Sequence, residues 1–194
     1  MDKLRAFIAI ELPPEIKGEL QSIQTSLQKG QYNYVKWVDT QNMHLTLKFL
    51  GDINHPQIDS VCSAIETSAH DVHPFSLYLQ DAGAFPSLDR PNIIWAGLQG
   101  DLKILCTWQK SLEQNLKPLG FTPESRPFSP HLTLGRLREN ATLLERQSLG
   151  RQLAEIHLQP GGPMIVDALS LVHSHLTSKG PIYTILRSIK LPTS

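Results

Sequence analysis

The tetrapeptide His-Leu-Thr-Leu occurs twice in the chain, at residues 44–47 and 131–134. On an extended strand, side chains two apart share a face at roughly 7 Å separation, so each copy presents an imidazole beside a hydroxyl while its leucines face the other way. Two such strands facing each other across a cleft would gather His44, Thr46, His131 and Thr133 around one small volume. Imidazole ordinarily titrates near 6.5, so at neutral pH one histidine can act as a neutral base while the other acts as a protonated acid. With two hydroxyls donating to non-bridging oxygens, that set suits in-line hydrolysis of a phosphate diester without a metal. A single His-x-Thr on a strand is more often a surface or hydrogen-bonded pair. Its repetition on two otherwise core-bound strands favours catalysis.

The surrounding pattern supplies the elements that would position these residues. Leu4–Ile10 reads as a strand, and Pro13-Pro14 suits the first turn of a helix in which Ile16, Leu20, Ile23 and Leu27 recur at helical spacing up to Gly30. Met43–Leu50 alternates, placing His44, Thr46 and Lys48 on one face and Leu45, Leu47 and Phe49 on the other. Ile58, Val61, Cys62 and Ile65 mark a second helix, and Phe75–Leu79 and Asn92–Leu98 further strands. Leu105, Trp108, Leu112 and Leu116 mark a third helix ending near Gly120. Phe128–Leu137 alternates again, a fourth helix runs through Leu143, Leu144 and Leu153 across Gly150, and Ile165–Val172 and Ile182–Ile189 form closing strands. This order predicts an α+β protein with mixed or antiparallel sheet, and the repeated motif predicts two similar lobes within one compact unit.

Composition narrows the function. The chain has 194 residues with 18 basic and 18 acidic side chains, so no broad field draws long nucleic acid, and any nucleic-acid contact is expected to be local. Cys62 and Cys106 lack the spacing of a zinc site or redox pair and read as reduced, buried thiols of a cytoplasmic protein. The apolar run Ala6–Ile10 ends at Glu11, too short for a signal-peptide core or a membrane span, so neither export nor membrane association is expected. His173 and His175 share a strand face, yet nothing spaced nearby completes a metal site. Lys48 reads either as a contact for an RNA phosphate or as a solvated strand-end lysine, and Trp37, Phe49, Trp95 and Tyr183 are core aromatics unless the cleft exposes them to a base. His55, His70, His73 and His157 belong to no pattern and read as surface or helix-end residues.

The two motifs, together with Phe7-Ile8-Ala9-Ile10, Leu12-Pro13, Phe49-Leu50-Gly51, Phe85-Pro86, Ile94-Trp95, Phe128-Ser129-Pro130 and Gly180-Pro181 with Tyr183, carry a family likeness. The sequence resembles the RNA 2′,3′-cyclic phosphodiesterases, also called 2′-5′ RNA ligases, of the two-histidine phosphoesterase superfamily. The resemblance implies a bilobal fold spanning residues 1–194, with two antiparallel sheets forming a V-shaped cleft and helices packed outside. It implies hydrolysis of a 2′,3′-cyclic phosphate at an RNA end to a 2′-phosphomonoester; a monomer needing no cofactor is expected. It also implies His44 as proton donor, His131 as proton acceptor, and Arg136 as a phosphate ligand beside Thr46 and Thr133. Strict alternation places Gly135, not Arg136, on the catalytic face, so Arg136 reaches the phosphate only if the strand bends or bulges there, which Gly135 would permit, and otherwise reads as a partner in an ordinary surface salt bridge. A reversible 2′-5′ ligase, a 2′-5′ phosphodiesterase and a non-catalytic RNA-end binding module are the alternatives.

Overall fold

The computed structural model describes residues 3–30, 32–156, 161–178 and 180–193. In chain order the elements are β1 (Leu4–Glu11), α1 (Pro14–Gln28), β2 (Val35–Trp37), β3 (His44–Ile53), α2 (Gln57–Ala69), β4 (Phe75–Phe85), β5 (Ile93–Gly100), α3 (Leu102–Leu116), β6 (His131–Leu137), α4 (Leu143–Ala154), β7 (Met164–Val166), β8 (Ala168–Thr177) and β9 (Gly180–Lys190). Two antiparallel sheets result, one ordered β3-β1-β8-β9 and the other β2-β6-β5-β4-β7, and the fold is the expected α+β architecture with a V-shaped cleft.

The helices form because their apolar residues recur on one face and the sheets need covering. Ile16, Leu20, Ile23 and Leu27 of α1 are buried, as are Leu105, Trp108, Leu112 and Leu116 of α3. They join the strand residues Ile8, Ile10, Leu45, Leu47, Leu132 and Leu134 in one core cluster. Phe7, Ala9 and Val172 form a separate small cluster with Tyr183, because alternate residues of β1 and β8 point to the opposite face. That opposite face is the cleft wall.

Three departures from the sequence pattern have local causes. The run 165–172 is not one strand: the chain changes sheets at Asp167, β7 pairing with β4 and β8 pairing with β1. The short β2 carries too few residues for its alternation to show, yet it closes the edge of the second sheet against β6. Leu143 and Leu144 lie exposed in the first turn of α4, which starts at a Thr142–Glu145 capping box and is buried through Leu149 and Leu153 instead.

Gly150 in the middle of α4 is explained by close approach, since a Cβ there would overlap the Leu88 carbonyl oxygen. Gly18 in α1 is exposed, with nothing within 4 Å of where a Cβ would stand. Gly150→Ala should therefore destabilise the protein by about 1–3 kcal/mol despite alanine's better helix propensity. Gly18→Ala should stabilise it by roughly 0.5–1 kcal/mol, and thermal unfolding of the two variants checks both signs.

Candidate active site

His44 opens β3 and His131 opens β6, one strand from each sheet, and these two strands approach each other. Each imidazole is fixed in the same way. His44 Nδ1 lies 2.9 Å from the Asn42 carbonyl oxygen and His131 Nδ1 lies 2.7 Å from that of Ser129, two residues upstream in both cases. A carbonyl only accepts, so Nδ1 carries the hydrogen and Nε2 is the free nitrogen of each ring.

Aromatic rings set the orientation further. Phe7 stacks on His44 with centroids 4.5 Å apart, and Tyr183 meets His44 edge-on at 5.1 Å. Phe85 meets His131 edge-on at 5.0 Å. Burial lowers the pKa of His44 below its usual value, with the charge of Lys17 acting in the same direction and the Asn42 carbonyl opposing them. Glu11 stands directly opposite His44 in the β1–β3 ladder, and its carboxylate accepts a 2.7 Å hydrogen bond from Ser170 Oγ. Thr46 and Thr133 are half-buried, and among the described residues neither hydroxyl makes an intramolecular hydrogen bond.

Both motif strands bulge at the same place. In β3, Ile8 pairs with Lys48 and Ala9 with Thr46, so Leu47 is the extra residue; in β6, Ile94 pairs with Gly135 and Trp95 with Thr133, so Leu134 is the extra residue. A bulge shifts the alternation by one. Arg136 consequently joins His131 and Thr133 on the cleft face, as the resemblance requires and strict alternation forbids. Burial raises the pKa of Tyr183 while the charges of Arg136 and Arg5 lower it.

The same shift corrects the reading of β3. Phe49, not Lys48, shares the cleft face with His44 and Thr46, and it is 63% exposed. Lys48 points into the interior at 3% exposure, 2.9 Å from Glu113 Oε2, and its Nζ donates to the Thr122 carbonyl oxygen at 2.6 Å. It is neither solvated nor available to a phosphate. The bulge does not depend on glycine either, because Lys48 occupies the position matching Gly135. Gly135 instead allows β2 to lie close, since a Cβ there would meet Val35 and Trp37 at 3.0 and 3.1 Å.

A buried glutamine stands behind each bulge. Gln24 of α1 donates through Nε2 to the Leu134 and Val38 carbonyls at 2.8 and 2.7 Å. Gln109 of α3 donates to the Leu47 carbonyl at 3.4 Å and to Glu113 at 3.2 Å. Neither is marked by spacing in the sequence, because a glutamine on a helix face is ordinarily solvated.

The remaining candidates separate by face. Trp95 lies on the cleft face opposite Thr133, whereas Trp37 pairs with Gly135 on the core side. His173 pairs with Ala6, a core residue, so it lies on the sheet's helix-facing side; its ring is 6.3 Å from that of His175, and no group of three or more potential metal ligands occurs among the described residues. His55, His70 and His73 are exposed at the surface as expected, and His157 lies outside the described residues. Cys62 and Cys106 are free thiols; Cys62 is buried as expected, whereas Cys106, on the partly exposed side of α3, is only half-buried. Among the described residues no helix is long and apolar enough to cross a membrane.

The sequence profile of the LigT-like phosphoesterases matches residues 10–95 and 102–183. The chain belongs to this family. A relative from Methanothermobacter thermautotrophicus, named an RNA 2′,3′-cyclic phosphodiesterase, is 31% identical over 189 residues, covering 97% of this chain and 100% of the relative. One from Aquifex aeolicus with the same name is 32% identical, covering 98% and 99%. Among solved structures, one from Thermus thermophilus superposes with a TM-score of 0.78 at 26% identity, covering 97% of this chain and 98% of that one. That of E. coli LigT complexed with 3′-AMP gives 0.76 at 24% identity, covering 99% and 100%, a likeness of fold. Each matched segment of this LigT-like phosphoesterase includes one His-Leu-Thr-Leu motif.

Nuclear magnetic resonance titration of the His44 ring in the free protein should give a midpoint below about 6.5, because burial disfavours the imidazolium. Unfolded His44 then binds its proton more readily than folded His44. Its effect on stability is therefore absent above the unfolded pKa and becomes a loss as pH falls from there through the folded value. A midpoint at or above the unfolded value would contradict the burial argument.

Proposed function

We propose that the protein hydrolyses 2′,3′-cyclic phosphate ends of RNA to 2′-phosphomonoesters, with His44 as proton donor and His131 as proton acceptor. The observation that carries this reading is the matched pair of Nδ1–carbonyl contacts, which leaves one free Nε2 on each motif strand. The names of the full-length relatives support the substrate.

The atoms balance without a metal. Water attacks phosphorus in line with the ribose 3′ oxygen, and His131 Nε2 takes one water proton as the P–O bond forms. The bond from phosphorus to the 3′ oxygen breaks, and His44 Nε2–H gives its proton to that oxygen. Thr46, Thr133 and Arg136 hold the non-bridging oxygens, whose charge is shared with the guanidinium. Burial biases His44 toward the neutral form in the empty site, and the anionic phosphate favours its protonation, so the proton it donates is bound together with the substrate. In this reading the chain acts as a cytoplasmic monomer without cofactor, a single bilobal unit over residues 1–194. Its two lobes are related by the repeated motif, bulge and ring contact.

Incubation with a short RNA ending in a 2′,3′-cyclic phosphate, with chelator present, should yield a 2′-phosphate. His44→Ala and His131→Ala should each lose at least about a thousandfold in kcat/KM, and the double variant should be little worse, because the two act as one unit. Retained turnover in both single variants would sink the assignment. Joining to an added 5′-hydroxyl RNA through a 2′-5′ bond would instead favour the ligase reaction, and tight binding without product a binding module. The roles separate with a substrate carrying sulfur at the 3′ bridging position, whose thiolate leaves without a proton donor. It should restore His44→Ala substantially and His131→Ala not at all; the opposite pattern would exchange the two roles.

A further inference from the structure

The second sheet carries a cation beside Arg136 that the chemistry above does not use. Lys36 of the edge strand β2 lies directly opposite Arg136 in the β2–β6 ladder, so the two share the cleft face. Both are exposed. Like charges directly opposite on neighbouring strands repel and weaken the pairing. Among the described residues neither makes an ion pair with a carboxylate. In a chain of zero net charge, an uncompensated pair of cations at the mouth of the site is a local concentration of charge.

The pairing is nevertheless fixed at both ends of β2. Val38 N–H donates to the Leu134 carbonyl at 2.9 Å, and Gln24 bridges the Val38 and Leu134 carbonyls from behind. At the other end Arg138 N–H donates to the Tyr34 carbonyl at 2.8 Å. The fold thus holds two repelling cations side by side, one strand step of about 7 Å beyond Thr133. A second anionic group of the substrate would relieve that repulsion.

We infer that Lys36 binds the RNA backbone: it contacts the phosphodiester on the 5′ side of the reacting nucleotide while Arg136, beside it, holds the cyclic phosphate. The inference rests on the reading of the active site given above and extends it from a nucleotide to a strand. Lysine suits this place, since a point charge on a flexible stem follows a backbone phosphate without demanding one geometry.

The test compares kcat/KM for a nucleoside 2′,3′-cyclic phosphate with that for a trinucleotide ending in the same group, across a salt series. The unaltered protein should prefer the trinucleotide. Lys36→Ala should reduce that preference about tenfold, as expected for one charge-assisted phosphate contact. Lys36→Glu should reduce it further and Lys36→Arg should keep it. The slope of log kcat/KM against log salt for the trinucleotide should become shallower by roughly 0.7 in Lys36→Ala, the share of one phosphate contact to a single strand. If Lys36 merely protects a sheet edge from pairing with other chains, its replacement would promote aggregation and leave the ratio of the two substrates unchanged, which overturns the inference. A protein that turns over both substrates with no preference also overturns it, with the active-site reading intact. Turnover of neither substrate would reject that reading and this one with it.

Discussion

The constraint on which the site depends is the placement of one extra residue in each motif strand. A strand cannot present two leucines to the core, a histidine and a threonine to a cleft and a further side chain three positions beyond the threonine on the same face unless its alternation is broken at one point. Leu47 and Leu134 are those points. The bulges keep the leucines buried and turn Phe49 and Arg136 outward, so a hydrophobic pattern that would otherwise hide the sixth residue of each motif segment exposes it. The buried amides of Gln24 and Gln109 satisfy carbonyls at the disturbed ladders, where an unpaired buried oxygen would cost about 1–3 kcal/mol.

This arrangement is reciprocal between the two halves of the chain. The helix after β1 supplies the amide for the bulge of the second motif, and the helix after β5 supplies the amide for that of the first. Each sheet is braced by a helix that follows a strand of the other. Lys48 adds a further tie, since its buried ammonium joins the first motif strand to Glu113 of α3 and to Thr122 in the segment leading to the second motif. A buried lysine is tolerated here because carboxylate and carbonyl partners replace its water. The two motif strands are therefore held through polar contacts in the interior as well as by apolar packing.

The site is chemically asymmetric although its backbone is repeated. Stacked on Phe7 and met by Tyr183, His44 is the more enclosed imidazole and is biased toward its neutral form, while His131 meets a single ring edge at Phe85. At the matched bulge position one strand offers an exposed aromatic ring and the other a guanidinium.

Much of this was legible in the residue pattern alone. The repeated His-Leu-Thr-Leu, the strand alternation around it and the spaced leucines of α1 and α3 determined the candidate catalytic pair, the element order and the core-facing helix surfaces, because those features are local and follow from the periods of strand and helix. The residue pattern did not reveal that Phe49 faces the cleft, that Lys48 is buried, or that Lys36 stands beside Arg136, and it pointed Arg136 to the cleft only through the family resemblance and against strict alternation. Those outcomes depend on register with strands distant in the chain, on a change of sheet at Asp167, and on amides delivered by helices of the opposite half. A bulge leaves no local mark when its extra residue is an ordinary leucine. Only the partner strand, pairing with the residues on either side, decides which way the chain turns.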